Sequence, residues 1–319
     1  MAQRLMLKRR AELVSKLLEW YDAHRRDLPW RRTNKPYRIW VSEIMLQQTR
    51  VAAAIDYYRR FLGRFPTVSA LARSSESEVL AQWSGLGYYR RARRLHLAAK
   101  EIHVKHRGRL PKTSEEWKQL PGIGRYTAAA IASIAFGERV AVVDGNVERV
   151  LRRLSGKMKL DCWEAAQQLI PTERPGDFNQ AVMELGAMVC TSTSPACADC
   201  PLRRWCKTRG EHQTATPPRR QRAGNEIAVH RRDGSVYLIQ RAANASLMAG
   251  LWEFPPAVPA KAAPLLRLKH AITTTDYHVS VFAQAGRVSG GRWVPIPSLP
   301  ELPLTGLTRK VLRRLNLIA

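Results

Sequence analysis

Acid is what this chain has least of. Asp and Glu number 26 against 53 Lys and Arg in 319 residues, a formal net charge of +27 at neutral pH. Such an excess on a globular chain points to a polyanionic partner, nucleic acid before an anionic membrane. There is no uncharged apolar run of about 18 residues, which excludes a membrane-spanning helix. Met1–Arg10 is basic but has no apolar stretch of the signal-peptide kind behind it. It could pass for an arginine-rich transit peptide, but Glu12 and Glu19 interrupt it, and it reads as an amphipathic helix of the mature protein. Cysteine is sparse too. There are five, an odd number, with four of them inside seventeen positions, which argues against a secreted disulfide framework. Internal repeats are absent.

What is present is enough apolar residue, 45%, to build real cores, on a length that favours two domains. The charge is uneven, +20 before Asn225 and +7 from there on, so the main nucleic-acid surface is expected on the N-terminal part. Helical periodicity runs over residues 11–21, 37–61 (one long or two abutting helices), 75–83, 88–103, 114–120, 125–136, 146–154, 163–170 and 178–190. Residues 208–224 are polar and basic with a Pro217-Pro218 pair, a linker composition. Beyond them, 227–230, 236–240 and 278–283 read as short strands with turns at Asp233-Gly234 and Gly290-Gly291, and 306–316 as a last helix. The expected layout is an α-helical domain over 1–207, a linker over 208–224 and an α+β domain over 225–319.

Three constellations carry chemistry. Cys190, Cys197, Cys200 and Cys206 have the spacing C-x6-C-x2-C-x5-C. Four thiolates this close can surround one metal centre, zinc or a cubane of iron and sulfide. A single CxxC with one cysteine on each side suits a cluster with four separated corners. Cys162 lies outside the pattern and reads as a small buried hydrophobe. Arg203 and Arg204, inside the last loop, are either phosphate contacts or a solvated pair. The second constellation is Leu120-Pro121-Gly122-Ile123-Gly124 between two helices. Gly122 and Gly124 allow a tight turn whose amides can meet a phosphate, though an ordinary helix connection has the same look. The third is a pair of carboxylates. Asp144 ends an apolar run just before a helix, where it can cap the helix and also stand as a fixed anion. Glu43 sits in an otherwise apolar run from Ile39 to Leu46, so it is either on the outer face or a desolvated general acid. One protonated acid and one anion is what cleavage of a glycosidic bond needs.

These residues resemble a known family. Trp40–Thr49 (WVSEIMLQQT), Gly85–Tyr89 (GLGYY), Leu120–Thr127 (LPGIGRYT), Val143–Val147 (VDGNV) and the cysteine cluster occur in the order found in adenine DNA glycosylases of the MutY type, members of the helix–hairpin–helix base-excision glycosylases. The resemblance covers about residues 10–206. It implies a helix–hairpin–helix glycosylase fold, a [4Fe-4S] cluster on the four cysteines, and removal of adenine from double-stranded DNA where it faces 8-oxoguanine or guanine. It implies that Glu43 protonates the adenine ring, that Asp144 stabilises the sugar cation or its covalent adduct, and that Tyr126 and Asn146 support them. Gln48 and Tyr88 would wedge into the helix, and Trp30, Arg31 and Gln180 would line the adenine pocket. The lyase branch of the superfamily has a lysine where Tyr126 stands. A phenol forms no Schiff base, so a monofunctional enzyme is expected.

Gly250–Pro255 (GLWEFP) gives the C-terminal part a likeness to the Nudix domain with which this family senses 8-oxoguanine. The acidic helix of nucleotide-hydrolysing Nudix enzymes is missing, and residues 256–268 hold no acid. Ile272-Thr273-Thr274 stands where the family has a Phe-Ser-His-type loop, so a weaker preference for the oxidised base is expected. The rivals are a glycosylase for mismatched thymine or uracil, and a cluster-bearing DNA-binding protein without catalysis. A monomer is expected, with no membrane partner, and in a bacterium a cytoplasmic, nucleoid-associated place.

Overall fold

A computed structural model describes residues 2–209, 220–258, 262–284 and 290–318 of the chain. The middle of the expected linker, residues 210–219, lies outside the described residues. The helices are α1 (Ala2–His24), α2 (Pro36–Leu46), α3 (Val51–Arg64), α4 (Val68–Arg73), α5 (Glu76–Trp83), α6 (Tyr89–Lys105), α7 (Ser114–Lys118), α8 (Arg125–Phe136), α9 (Gly145–Ser155), α10 (Cys162–Leu169), α11 (Pro175–Met188) and α12 (Gly306–Arg314). The strands are β1 (Gln221–Val229), β2 (Arg231–Arg232), β3 (Ser235–Gln240), β4 (Trp252–Glu253), β5 (Leu266–Ile272), β6 (Thr275–Ala283) and β7 (Gly291–Pro295). No helix among the described residues is long and apolar enough to cross a membrane.

Local chemistry fixes the helix ends. Ser75 with Glu78 and Thr113 with Glu116 form reciprocal capping boxes on α5 and α7. Asp144, Asp161 and Thr305 cap α9, α10 and α12. Gly137 and Gly156 end α8 and α9 in the left-handed conformation, which glycine adopts without strain. Residues 37–61 resolve into α2 and α3, because Gln48 between them takes φ +53° and breaks the periodicity.

The chain forms two compact units, Met1–Gln48 with Glu101–Thr216, and Thr49–Lys100 with Pro217–Ala319. These are not the chain-order blocks expected from composition, since packing takes α3–α5 and most of α6 into the unit of the C-terminal strands. In the first unit Leu17, Tyr21, Val147, Phe178 and Leu185 belong to one core. Beside it α2 packs on α8, and Trp40 and Trp117 meet at 5.4 Å, both fully buried. In the second, Phe61, Phe65 and Trp83 stack edge to face among helices, and each fully buried Phe contributes about 2–3 kcal/mol.

The C-terminal part is α+β. One sheet has the order β1-β6-β5, with β1 parallel and β5 antiparallel to β6. The other is β2-β3-β4 with β7 paired to β3. Val236, Leu238, Val279, Val281, Val311 and Leu312 form its core, with α12 closing over it. β1 begins at Gln221, inside the stretch read as linker. Ile272-Thr273-Thr274 is no open loop. Thr273 and Thr274 form the tight turn of the β5–β6 hairpin, with Thr273 at φ +51°.

Candidate active site

Glu43 lies on α2 and is 7% exposed, so it faces inward, not outward. Burial, and secondarily the charge of Asp144, push its carboxyl up to about 7, against the hydrogen bond from Tyr126 and the charge of Arg31. Tyr126 lies on the first turn of α8, the helix packed on α2. Burial and the two carboxylates hold its phenol well above its ordinary range, so it stays a donor. Its hydroxyl also points at Met183 Sδ, 3.3 Å away.

Asp144 is the N-cap of α9. Its Oδ1 accepts from the Val147 amide at 2.7 Å and its Oδ2 from Asn146 Nδ2 at 3.1 Å. Asn146 is itself pinned. Its Oδ1 accepts from Arg149 Nη2 at 2.7 Å, and Arg149 also donates to the carbonyls of Gly186 (2.7 Å) and Cys190 (2.8 Å). Helix α11 comes so close that a Cβ on Gly186 would lie 2.7 Å from Asn146 Cβ.

Two residues the sequence reading missed complete the neighbourhood. Glu184 on α11 is 1% exposed and accepts five hydrogen bonds. Arg26 gives its amide (3.0 Å), Nε (2.8 Å) and Nη2 (2.6 Å), and Arg31 gives Nη1 and Nη2, both at 2.8 Å. Burial pushes this carboxyl up, but the hydrogen bonds from Arg26 and Arg31 win and bring it down to about 2. Glu43 and Glu184 are thus buried acids with opposite protonation preferences, set by the partners each meets. The signal was available, since Glu184 is a lone acid in the run Ala181–Leu185, as Glu43 is in its own.

Trp30, Arg31 and Gln180 lie together on the wall of an open cleft of about 710 Å³ with Lys35, Ser133 and Arg174, a cleft whose lining does not include Glu43, Tyr126 or Asp144. In the hairpin between α7 and α8, Gly122 has φ +79°, and a Cβ on Gly124 would meet nothing within 4 Å, so the turn is open to an approaching group. Gln48 is exposed at the end of the first unit. Tyr88 belongs to the second unit and is 46% exposed.

Cys190, Cys197, Cys200 and Cys206 line one small pocket with Val189, Arg203 and Arg209, and none is in a disulfide. Among the described residues no group of three or more His, Cys, Asp or Glu side chains is gathered so as to hold a metal ion. Burial pushes the Cys200 thiol up to about 11, with the neighbouring thiols adding to it. Arg153 Nη1 stands 3.4 Å from Cys190 Sγ. Cys162 is buried in the core, as expected.

Comparison with known proteins adds to this geometry. Residues 41–169 match the model of the HhH-GPD superfamily of base excision DNA repair proteins. The chain is similar to the human adenine DNA glycosylase, 50% identical over 210 residues, which is 60% of this chain and 38% of that protein. The chain thus spans well under half of the length of this relative. It is also similar to the adenine DNA glycosylase of Schizosaccharomyces pombe, 34% identical over 313 residues, 75% of this chain and 68% of the relative. Among solved structures, a thermostable thymine-DNA glycosylase superposes with a TM-score of 0.61 at 31% identity, covering 65% of this chain and 99% of that one.

Proposed function

Because the chain belongs to the adenine DNA glycosylases of the helix–hairpin–helix base-excision superfamily, we propose that it excises adenine mispaired with 8-oxoguanine or guanine in double-stranded DNA, as a monofunctional enzyme. The observation that carries this is Glu43, a carboxyl buried and raised to about 7 beside Tyr126 and Asp144. At neutral pH a substantial fraction of Glu43 holds a proton to give. That proton goes to a ring nitrogen of the extruded adenine, the bond from that base to C1′ breaks, and its electron pair leaves with the base. The deoxyribose is left as a cation. Asp144 faces it as a carboxylate held by the Val147 amide and Asn146, and water then adds at C1′, its proton passing to the Glu43 carboxylate left by the first step. Tyr126 orients Glu43 by its hydrogen bond. Trp30, Arg31 and Gln180 receive the base, and Gln48 and Tyr88 fill the space it leaves. Gly122 and Gly124 present hairpin amides to a phosphate.

Cys190, Cys197, Cys200 and Cys206 would hold a [4Fe-4S] cluster. The fit is in the donor set. The four thiols line one pocket and none is in a disulfide, and the neighbouring thiols add to the burial that pushes Cys197 and Cys200 up, so the donor set is thiol-rich in the way such a cluster requires. When bound, the cluster supplies cross-linking of the loop after α11. Residues 225–319, with their two sheets and no acid over 256–268, would serve as a Nudix-like sensor of the opposite base without hydrolysing nucleotides. The likeness to a thymine-DNA glycosylase keeps a second reading, removal of mismatched thymine.

Single-turnover base release decides between these on duplexes carrying A opposite 8-oxoguanine, A opposite G, and T opposite G. We expect release of adenine from the first two. Glu43→Gln and Asp144→Asn should each lower it at least 10²–10⁴-fold while mispair binding persists. Thymine release without adenine release would overturn the assignment.

A further inference from the structure

The turn Ser84–Tyr89 is braced far more than an exposed connection requires. Gly85, Gly87 and Tyr88 have φ of +99°, +78° and +49°. A tyrosine persists in that region only when its surroundings over-determine it. On one side Trp83 Nε1 and Arg91 Nη2 donate to the Gly87 carbonyl at 3.0 and 3.2 Å, and the Arg91 guanidinium lies 5.2 Å from the Tyr88 ring centre. On the other side the turn is tied to residues more than two hundred positions away within the same compact unit. Ser84 Oγ donates to the Leu304 carbonyl at 2.6 Å, and the Tyr89 hydroxyl donates to the same oxygen at 3.0 Å while accepting from the Gly85 amide at 3.2 Å. Arg309 Nε donates to Ser84 Oγ at 3.1 Å. Ser84, Tyr89, Leu304 and Arg309 are all buried, so these bonds are shielded from water.

We propose that the C-terminal part sets the position of Tyr88, with Arg309 and the Leu304 carbonyl as positioning groups that act through Ser84 and Tyr89. This rests on the reading of Tyr88 as the residue that enters the base stack. A ring inserted between base pairs must arrive within a fraction of an ångström, and a turn of three left-handed residues holds that aim only while both flanks are fixed. The C-terminal part then has a mechanical task separate from sensing the opposite base. Sensing acts only on the oxidised guanine, whereas bracing acts whichever base stands opposite.

The test uses the full chain and duplexes with 2-aminopurine beside the target adenine, whose fluorescence rises when its neighbour unstacks. Single-turnover release is followed in parallel with 8-oxoguanine or guanine opposite. Tyr89→Phe removes one hydroxyl, Arg309→Met removes the donor, Arg309→Lys keeps the charge, and Tyr88→Ala is the reference. We expect Tyr89→Phe and Arg309→Met each to weaken insertion about tenfold, equally for both opposite bases, with partial rescue by Arg309→Lys. Combined with Tyr88→Ala they should add almost nothing. If Tyr88→Ala abolishes the signal but Tyr89→Phe and Arg309→Met leave it intact, the brace is refuted and the wedge stands. A loss confined to the 8-oxoguanine duplex, or one fully additive with Tyr88→Ala, also refutes the brace. No change with Tyr88→Ala removes the wedge and the brace together.

Discussion

A single carboxyl, Glu43, ties the pH behaviour of catalysis to that of stability. Its proton is the one to be transferred, so base release should fall as the pH rises through about 7, where the group ionises. Stability moves with it. Because the folded value lies above the unfolded one, the contribution of Glu43 is complete below the ordinary carboxylate range and is lost as the pH rises through about 7. Glu43→Gln should therefore melt near wild type in acid and at a higher temperature at pH 8, by a margin of order 3 kcal/mol. Melting curves at the two pH values measure this, and a variant less stable than wild type at pH 8 would contradict the desolvated carboxyl. Glu184 shows that burial alone does not set protonation. It is as deeply buried, but two guanidinium groups keep it anionic.

Helices and strands carry the next consequences. Helix α11 touches α9 at Gly186, where an added methyl would press on Asn146, itself bonded to Asp144. Gly186→Ala should cost about 1–3 kcal/mol in overpacking and slow single-turnover release about tenfold or more while affinity for the mispair holds. Release at the wild-type rate would mean that α11 does not govern the position of Asp144. The β5–β6 hairpin holds Thr273 at φ +51°, a conformation costly for a β-branched residue. Thr273→Asn should stabilise the turn by about 0.5–1 kcal/mol, seen as slower amide hydrogen exchange along Leu266–Ala283, and faster exchange would refute the strain. Much of this was legible in the chain. The helices followed from their apolar periodicity, Asp144 caps α9 where it ends its apolar run, and the four cysteines, close in sequence, line one pocket. Strand β5 escaped because His270 interrupts the two-residue apolar period of Leu266, Leu268 and Ile272 on the inner face. Helix α4 escaped because six residues are too few to show a period. Glu184 stood out locally as a lone acid in an apolar run, but its partner Arg26 lies 158 positions away and nothing local announces that pairing.

For the molecule as a whole, the cysteine loop gives the plainest test. The purified protein should be brown, absorb near 400 nm and contain about four irons per chain. Cys197→Ser should lose the colour and Cys162→Ser should keep it, since Cys162 is a core residue that does not line that pocket. A colourless protein with one zinc would overturn the cluster. The two compact units also carry a consequence for how the chain is made. Thr49–Lys100 leaves the ribosome 117 residues ahead of Pro217, where its partners in the second unit begin. At about 5–20 residues per second that gap lasts roughly 10 s. During it Phe61, Phe65 and Trp83 can pack among themselves, but Ser84 and Tyr89 have no Leu304 carbonyl to meet. The nascent helices must wait half-finished, a window in which chaperone capture competes with aggregation, and translation speed becomes a determinant of yield.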